Sequence, residues 1–136
     1  MKRTIRNEGI ELSVLEHGVI YVRVFPGFKL ELDKAEEFCG MISYLTSDEL
    51  HVTVIDISEI IDFKIEALKL IVDFSREWGK TLALVLIAPE VKSSKHSEMI
   101  NALSQVKYAV QVVSDSTSAF DWAREEYNKQ RIKEAS

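Results

Sequence analysis

Few side chains in this sequence suit catalysis or metal binding, and those few are scattered. His17 falls at a predicted hairpin turn, His51 at a strand edge and His96 at a helix start, and none belongs to a His-Glu-x-x-His pair. Each reads as an exposed or locally hydrogen-bonded imidazole, and no metal site is expected. Cys39 lies on the apolar stripe of a predicted helix, where a thiol acts as a small hydrophobe with little thiolate character. Gly79-Lys80-Thr81 ends like a phosphate loop, but such a loop needs a glycine five residues before Gly79, where Phe74 stands. Its direction is also reversed, since a phosphate loop runs from strand into helix and Gly79 leaves a helix for a strand. A helix stop followed by a solvated lysine is the simpler reading. There is no Rossmann glycine fingerprint and no Gly-x-Ser-x-Gly elbow. With no acid and base paired by a motif, the expectation is a protein that is not an enzyme and needs no cofactor.

The elements that would position any site follow from periodicity. Ile10 to Glu16 alternates apolar and polar residues, and Val19 to Phe25 is rich in β-branched and aromatic ones, so both are predicted strands joined by a tight turn at His17-Gly18. Pro26-Gly27 stops the second strand. A helix follows, with Asp33 and Glu36 as a capping box and Ala35, Phe38, Cys39, Ile42 and Leu45 on one face. His51 to Ile57 is a third strand, apolar enough for burial on both faces. A second helix runs from Ile65 to Trp78, stopped by Gly79. Leu82 to Ala88 is a central strand, and a third helix carries Met99, Ala102, Leu103 and Val106. Ala109 to Val113 is the last strand, before a final helix with Phe120, Ala123 and Tyr127 inward and a polar tail after Asn128. The order β-β-α-β-α-β-α-β-α describes one α/β domain, a mixed sheet with helices packed on it. Its bounds are residues 10–128, between an N-terminal extension over 1–9 and a tail over 129–136.

Composition agrees with this reading. The 136 residues carry 17 Lys+Arg and 22 Asp+Glu, a formal charge of −5, with 46% hydrophobic and 29% charged residues. One domain of that size buries a core without staples, and its acidic balance argues against binding duplex nucleic acid, which requires basic side chains to displace counterions. A single cysteine allows no intrachain disulfide, and a reducing cytoplasm is the expected location. The basic stretch Met1 to Glu8 lacks a following apolar run, and Leu82 to Ala88 is too short to span a bilayer.

In a parallel sheet, the loops after the strand carboxyl ends gather where a ligand would bind. These loops bring Lys64, Ser93, Ser94, Lys95 and Ser116 as candidates for a small anionic ligand, although hydroxyls at helix starts usually serve as caps.

The segments Val54-Ile-Asp-Ile-Ser-Glu-Ile-Ile61, Ile65-Glu-Ala-Leu68, Thr81-Leu-Ala-Leu-Val-Leu-Ile87, and Val113-Ser-Asp115 ahead of Ala119-Phe-Asp-Trp122 resemble, in order and spacing, the STAS domain of bacterial anti-sigma-factor antagonists. The chain is similar in particular to small bacterial STAS-like, SpoIIAA-like proteins described as antagonist-like or lipid-transfer-like. The resemblance implies the fold and a protein-binding habit. In regulatory STAS proteins a partner kinase phosphorylates a serine at the start of the helix after the third strand. Here that stretch is Ile61-Asp62-Phe63-Lys64-Ile65-Glu66, without a hydroxyl, and Ser58 lies too early to take the role. The phosphoserine switch is therefore not carried over.

The leading expectation is a regulatory or adaptor domain that binds a protein through Asp56, Ser58, Glu59, Asp62, Lys64 and Glu66. Between Glu31 and Glu66 ten acids face two lysines, a formal −8 that leaves +3 for the rest of the chain, and such a sector steers basic partners. The alternative is a small-ligand or lipid-binding domain whose cavity is lined by Phe28, Phe38, Phe63, Phe74 and Trp78. Homodimerisation through the hairpin edge or an exposed helix face is a third expectation.

Overall fold

In this computed structural model residues 3–16, 18–88 and 94–135 are described. Along the chain lie β1 (Thr4–Arg6), β2 (Ile10–Glu16), β3 (Val19–Val24), β4 (Phe28–Leu30), α1 (Leu32–Thr46) and β5 (His51–Asp56). Then come β6 (Ile60–Phe63), α2 (Ile65–Trp78), β7 (Thr81–Ile87), α3 (Ser94–Leu103), β8 (Ala109–Val113) and α4 (Ser116–Ala135). Six strands form one sheet in the order β1-β2-β3-β5-β7-β8. The first three pair antiparallel, while β3, β5, β7 and β8 run parallel, as helical crossovers require.

Alternation within the inner strands divides the core in two. Leu12, Val22, Leu84 and Leu86 pack with Phe38, Ile42, Leu68, Val72, Met99 and Leu103 of α1, α2 and α3. Val19, Val52, Val54, Ala83, Val85 and Ile87 pack on the other face with Ala119, Ala123 and Tyr127 of α4. Burial on both faces explains why β5 and β7 read as nearly continuous apolar runs. Cys39 is buried in the first layer, which pushes its thiol up to about 12, so it is core filling at neutral pH.

Gly18 is fixed by two demands. Its φ is +84°, and a Cβ there would collide with the ring of Tyr127, so the hairpin can pass under α4 only at a glycine. His17 itself lies outside the described residues. Gly79, at φ +68°, closes α2 as expected, its N–H donating to the carbonyl of Ser75 at 3.0 Å.

Several boundaries differ from the sequence reading. Thr4–Arg6, within the stretch read as an extension, forms the sheet's edge against β2. β4 and β6 are two further strands that pair only with each other, in parallel. α1 begins at Leu32, directly after β4, so Asp33 sits inside the first turn, where its charge suits the dipole, and there is no side-chain cap. α3 ends at Leu103, leaving Val106 beyond it, and α4 continues through the predicted tail to Ala135. No described helix is long and apolar enough to cross a membrane.

Candidate functional site

β3 and β5 are neighbours in the sheet, and each leads through a short loop into its partner strand, β4 or β6. Those two strands lie side by side at the carboxyl end and deliver the chain into α1 and α2. The register pairs Lys29 with Asp62 and Leu30 with Phe63, and the N–H of Lys64 donates to the carbonyl of Leu30 at 2.9 Å. The two helix entrances are thereby brought together.

Three large aliphatic side chains are exposed along this rim: Leu32 opening α1, Ile61 in β6 and Ile65 opening α2, at 45%, 53% and 58% of full exposure. Ile61 is skipped by the β4–β6 register, which passes from Ile60 directly to Asp62, so it turns outward while Ile60 is buried. Neither helix start carries a side-chain cap, since Glu31 and Lys64 occupy the cap positions without such a bond. Beside the three aliphatics in sequence are the exposed acids Glu31, Asp33, Glu59 and Glu66, together with Lys29, Lys34 and Lys64.

The residues expected for partner binding fall into two groups. Asp56 and Ser58 are locked to each other: Asp56 Oδ1 accepts from the Ser58 N–H at 3.0 Å and the Ser58 hydroxyl at 2.6 Å, closing the turn after β5. Glu59, Lys64 and Glu66 are exposed on the rim, while half-buried Asp62 accepts from the N–H of Phe63 at 2.9 Å. The sequence reading missed Leu32, Ile61 and Ile65, whose only signal is the doublet Ile60-Ile61, out of phase with strand alternation.

The acidic excess between residues 31 and 66 proves to be divided. Asp48 and Glu49 follow the far end of α1, about 22 Å from its start for a helix of 15 residues. There the Asp48 carboxylate accepts from Ser43 at 2.7 Å and from the Trp78 indole at 2.6 Å, and these bonds hold its pKa below the ordinary value. Trp78 stacks on Phe74 and tilts against His51, with ring centroids at 5.1 and 5.2 Å. His51 Nδ1 lies 2.9 Å from the Glu49 carbonyl, so it carries the proton and Nε2 accepts from the Thr81 hydroxyl at 3.2 Å. Burial holds this imidazole below its ordinary pKa, in the neutral form.

Of the residues expected to bind an anion, Lys64 and Ser116 are the two whose side chains are described. Lys64 heads α2 and Ser116 heads α4, helices on opposite faces of the sheet. Asp115 caps α4, accepting from the N–H of Ser118 at 2.7 Å. Ser93 and the side chains of Ser94 and Lys95 lie outside the described residues. Among the described residues no group of three or more His, Cys, Asp or Glu could hold a metal.

Two small cavities separate the sheet from the helices. One, near 30 Å³, touches Phe38, Phe74 and Trp78 together with Thr53, Ser75, Thr81 and Tyr108. The other, near 50 Å³, is walled by aliphatics with Phe28 and Phe38, and Lys34 reaches it. Phe28 and Lys34 also line an outer cleft of about 290 Å³. Ligand pockets ordinarily measure about 300–1,000 Å³. Phe63 lines neither inner cavity and packs against the main core instead.

A mixed sheet with this order, α1 to α3 on one face and the carboxyl-end strand pair leading into α1 and α2, is a SpoIIAA-like fold. It matches a solved structure of an uncharacterized protein of the DUF3478 family with a SpoIIAA-like fold from Shewanella loihica PV-4, at a TM-score of 0.59 and 14% identity, over 90% of this chain and 92% of that one. At that identity the likeness is one of fold. No family model matches the chain, and no curated protein matches it.

Proposed function

We propose that this protein is a non-enzymatic adaptor or regulatory domain of the cytoplasm, and that it docks a protein partner on the rim where α1 and α2 begin. The observation that carries this reading is that Leu32, Ile61 and Ile65 are all exposed on the β4–β6 pair and the two helix starts it joins, with exposed acids beside them in sequence. Interfaces are commonly built this way, with an apolar centre that desolvates and a charged rim that orients. The fitting partner presents aliphatic or aromatic anchors flanked by Lys or Arg. Its docking would not depend on phosphorylation at the start of α2, where Lys64, Ile65 and Glu66 offer no hydroxyl.

Capture from the native lysate with wild-type bait and with an Ile61→Asp/Ile65→Asp bait tests the proposal. Proteins retained by the first, released by salt and absent from the second are the expected result. Identical capture by two equally folded baits would overturn it.

A second reading, an apolar ligand between sheet and helices, is favoured by one observation: the aliphatic cavity that Lys34 reaches, where a carboxylate could be paired. Occupancy requires that cavity to enlarge toward the outer cleft behind Phe28. Native mass spectrometry of protein purified from its host checks it, a ligand-free mass counting against it.

A further inference from the structure

The two edges of the sheet are built differently. β1 is three residues long, Thr-Ile-Arg, and carries a charge, the usual means of discouraging strand addition. β8, Ala-Val-Gln-Val-Val, is five residues without a charge, a proline or a glycine, and Val112 is 40% exposed. Such an edge invites pairing with another strand. Its peptide groups can be assigned: the carbonyl of Val113 turns toward β7, accepting from the N–H of Ala88 at 2.9 Å. Alternate residues of a strand direct their peptide groups to opposite edges, so Val110 and Val112 present theirs to the open side.

The flanking charges suggest the occupant. Lys107 stands four residues before Gln111 and Asp115 four residues after it, and both are exposed. Both lie in the bends just outside the strand, so an antiparallel pairing of two identical strands centred on Gln111 brings the Lys107 end of each copy beside the Asp115 end of the other. Val110 falls opposite Val112, in the pairs whose open peptide groups exchange hydrogen bonds. Within each copy these two valines stand in register with Leu84 and Leu86 of β7, so the paired valines prolong an apolar row already present in the sheet.

We propose that β8 is a self-recognition edge, through which two copies of this chain join antiparallel about a two-fold axis at Gln111 and extend one sheet across both. The pairing supplies main-chain hydrogen bonds from Val110 and Val112 of each copy, covers the exposed Val112 with the other copy's Val110, and sets the Lys107 end of each copy beside the Asp115 end of the other. A strand of this length buries less than the 1,200 Å² or so of a permanent interface, so the dimer is a reversible one that dissociates on dilution.

Sedimentation equilibrium across concentration, together with cysteine cross-linking, tests this. Gln111 would face its own copy in a non-hydrogen-bonded pair, at a Cα separation of about 4.5 Å that a disulfide can span. Gln111→Cys is therefore expected to oxidise to a covalent dimer, while Thr4→Cys on the opposite edge of the sheet stays monomeric and buried Cys39 does not compete. Val112→Lys should weaken association about tenfold by removing two symmetry-related valine pairs. Lys107→Glu should weaken it in a salt-dependent way, and Lys107→Glu/Asp115→Lys should restore it, with circular dichroism confirming that α4 is kept without its Asp115 cap. A chain that stays monomeric to millimolar concentration, a dimer indifferent to Val112→Lys, or equal cross-linking at positions 4 and 111 would each overturn the proposal.

Discussion

The two ends of the α1–α2 layer carry similar acidic side chains and use them in opposite ways. At the amino end of β5, Asp48 is bound by Ser43 and Trp78, and Trp78 closes over His51 and Phe74. At the carboxyl end, Glu31, Glu59 and Glu66 stand exposed, as do Leu32, Ile61 and Ile65 close to them in sequence. A charge excess counted along the sequence therefore mixes scaffold with surface. Acids that accept hydrogen bonds from the fold hold it together, and exposed acids close in sequence to exposed aliphatics are left for something else to meet.

Substitutions should separate the two ends. The largest effect is expected for Trp78→Ala, which removes the Phe74 stack, the His51 contact and the bond to Asp48, and should cost about 3 kcal/mol in urea unfolding. Next, Ile61→Asp/Ile65→Asp should lower partner affinity at least about tenfold, about 1.4 kcal/mol, in a titration with the captured partner. The same pair should leave unfolding stability within about 0.5 kcal/mol per site, because both side chains are already in solvent. Thr53→Val should raise stability by about 1 kcal/mol: among the described residues the buried Thr53 hydroxyl has no hydrogen-bond partner, and valine replaces it in nearly the same volume.

Acid should act on the amino end first. Because burial depresses the folded pKa of His51, the unfolded chain takes up its proton at a higher pH than the folded one. Stability contributed by the neutral imidazole is therefore complete above the unfolded value near 6.5 and declines as pH falls below it. Urea midpoints measured from pH 7.5 to 5 should fall, and His51→Gln should flatten that dependence. A wild-type midpoint that does not change over this range would mean that His51 does not couple the amino end to pH.

Much of the fold was legible in the residues. The alternation of Ile10 to Glu16, the helical stripe through Phe38 and Ile42, and the stop at Gly79 each encode local geometry, and the structure contains all three. β1, β4 and β6 were not legible, because three or four residues carry too little pattern and each strand exists only by pairing elsewhere. The candidate site shared that fate. Leu32, Ile61 and Ile65 are ordinary aliphatics in sequence, and the β4–β6 pairing is what gathers them. α4 outran its prediction because its polar last turns have no apolar stripe to mark them.

Hydrogen exchange on the captured complex, compared with the free chain, reads out the rim residue by residue. Slower exchange confined to residues 31–34 and 59–66 is the expected result. Unchanged exchange there, with protection appearing at the amino end of β5 or along another surface, would contradict docking at the rim.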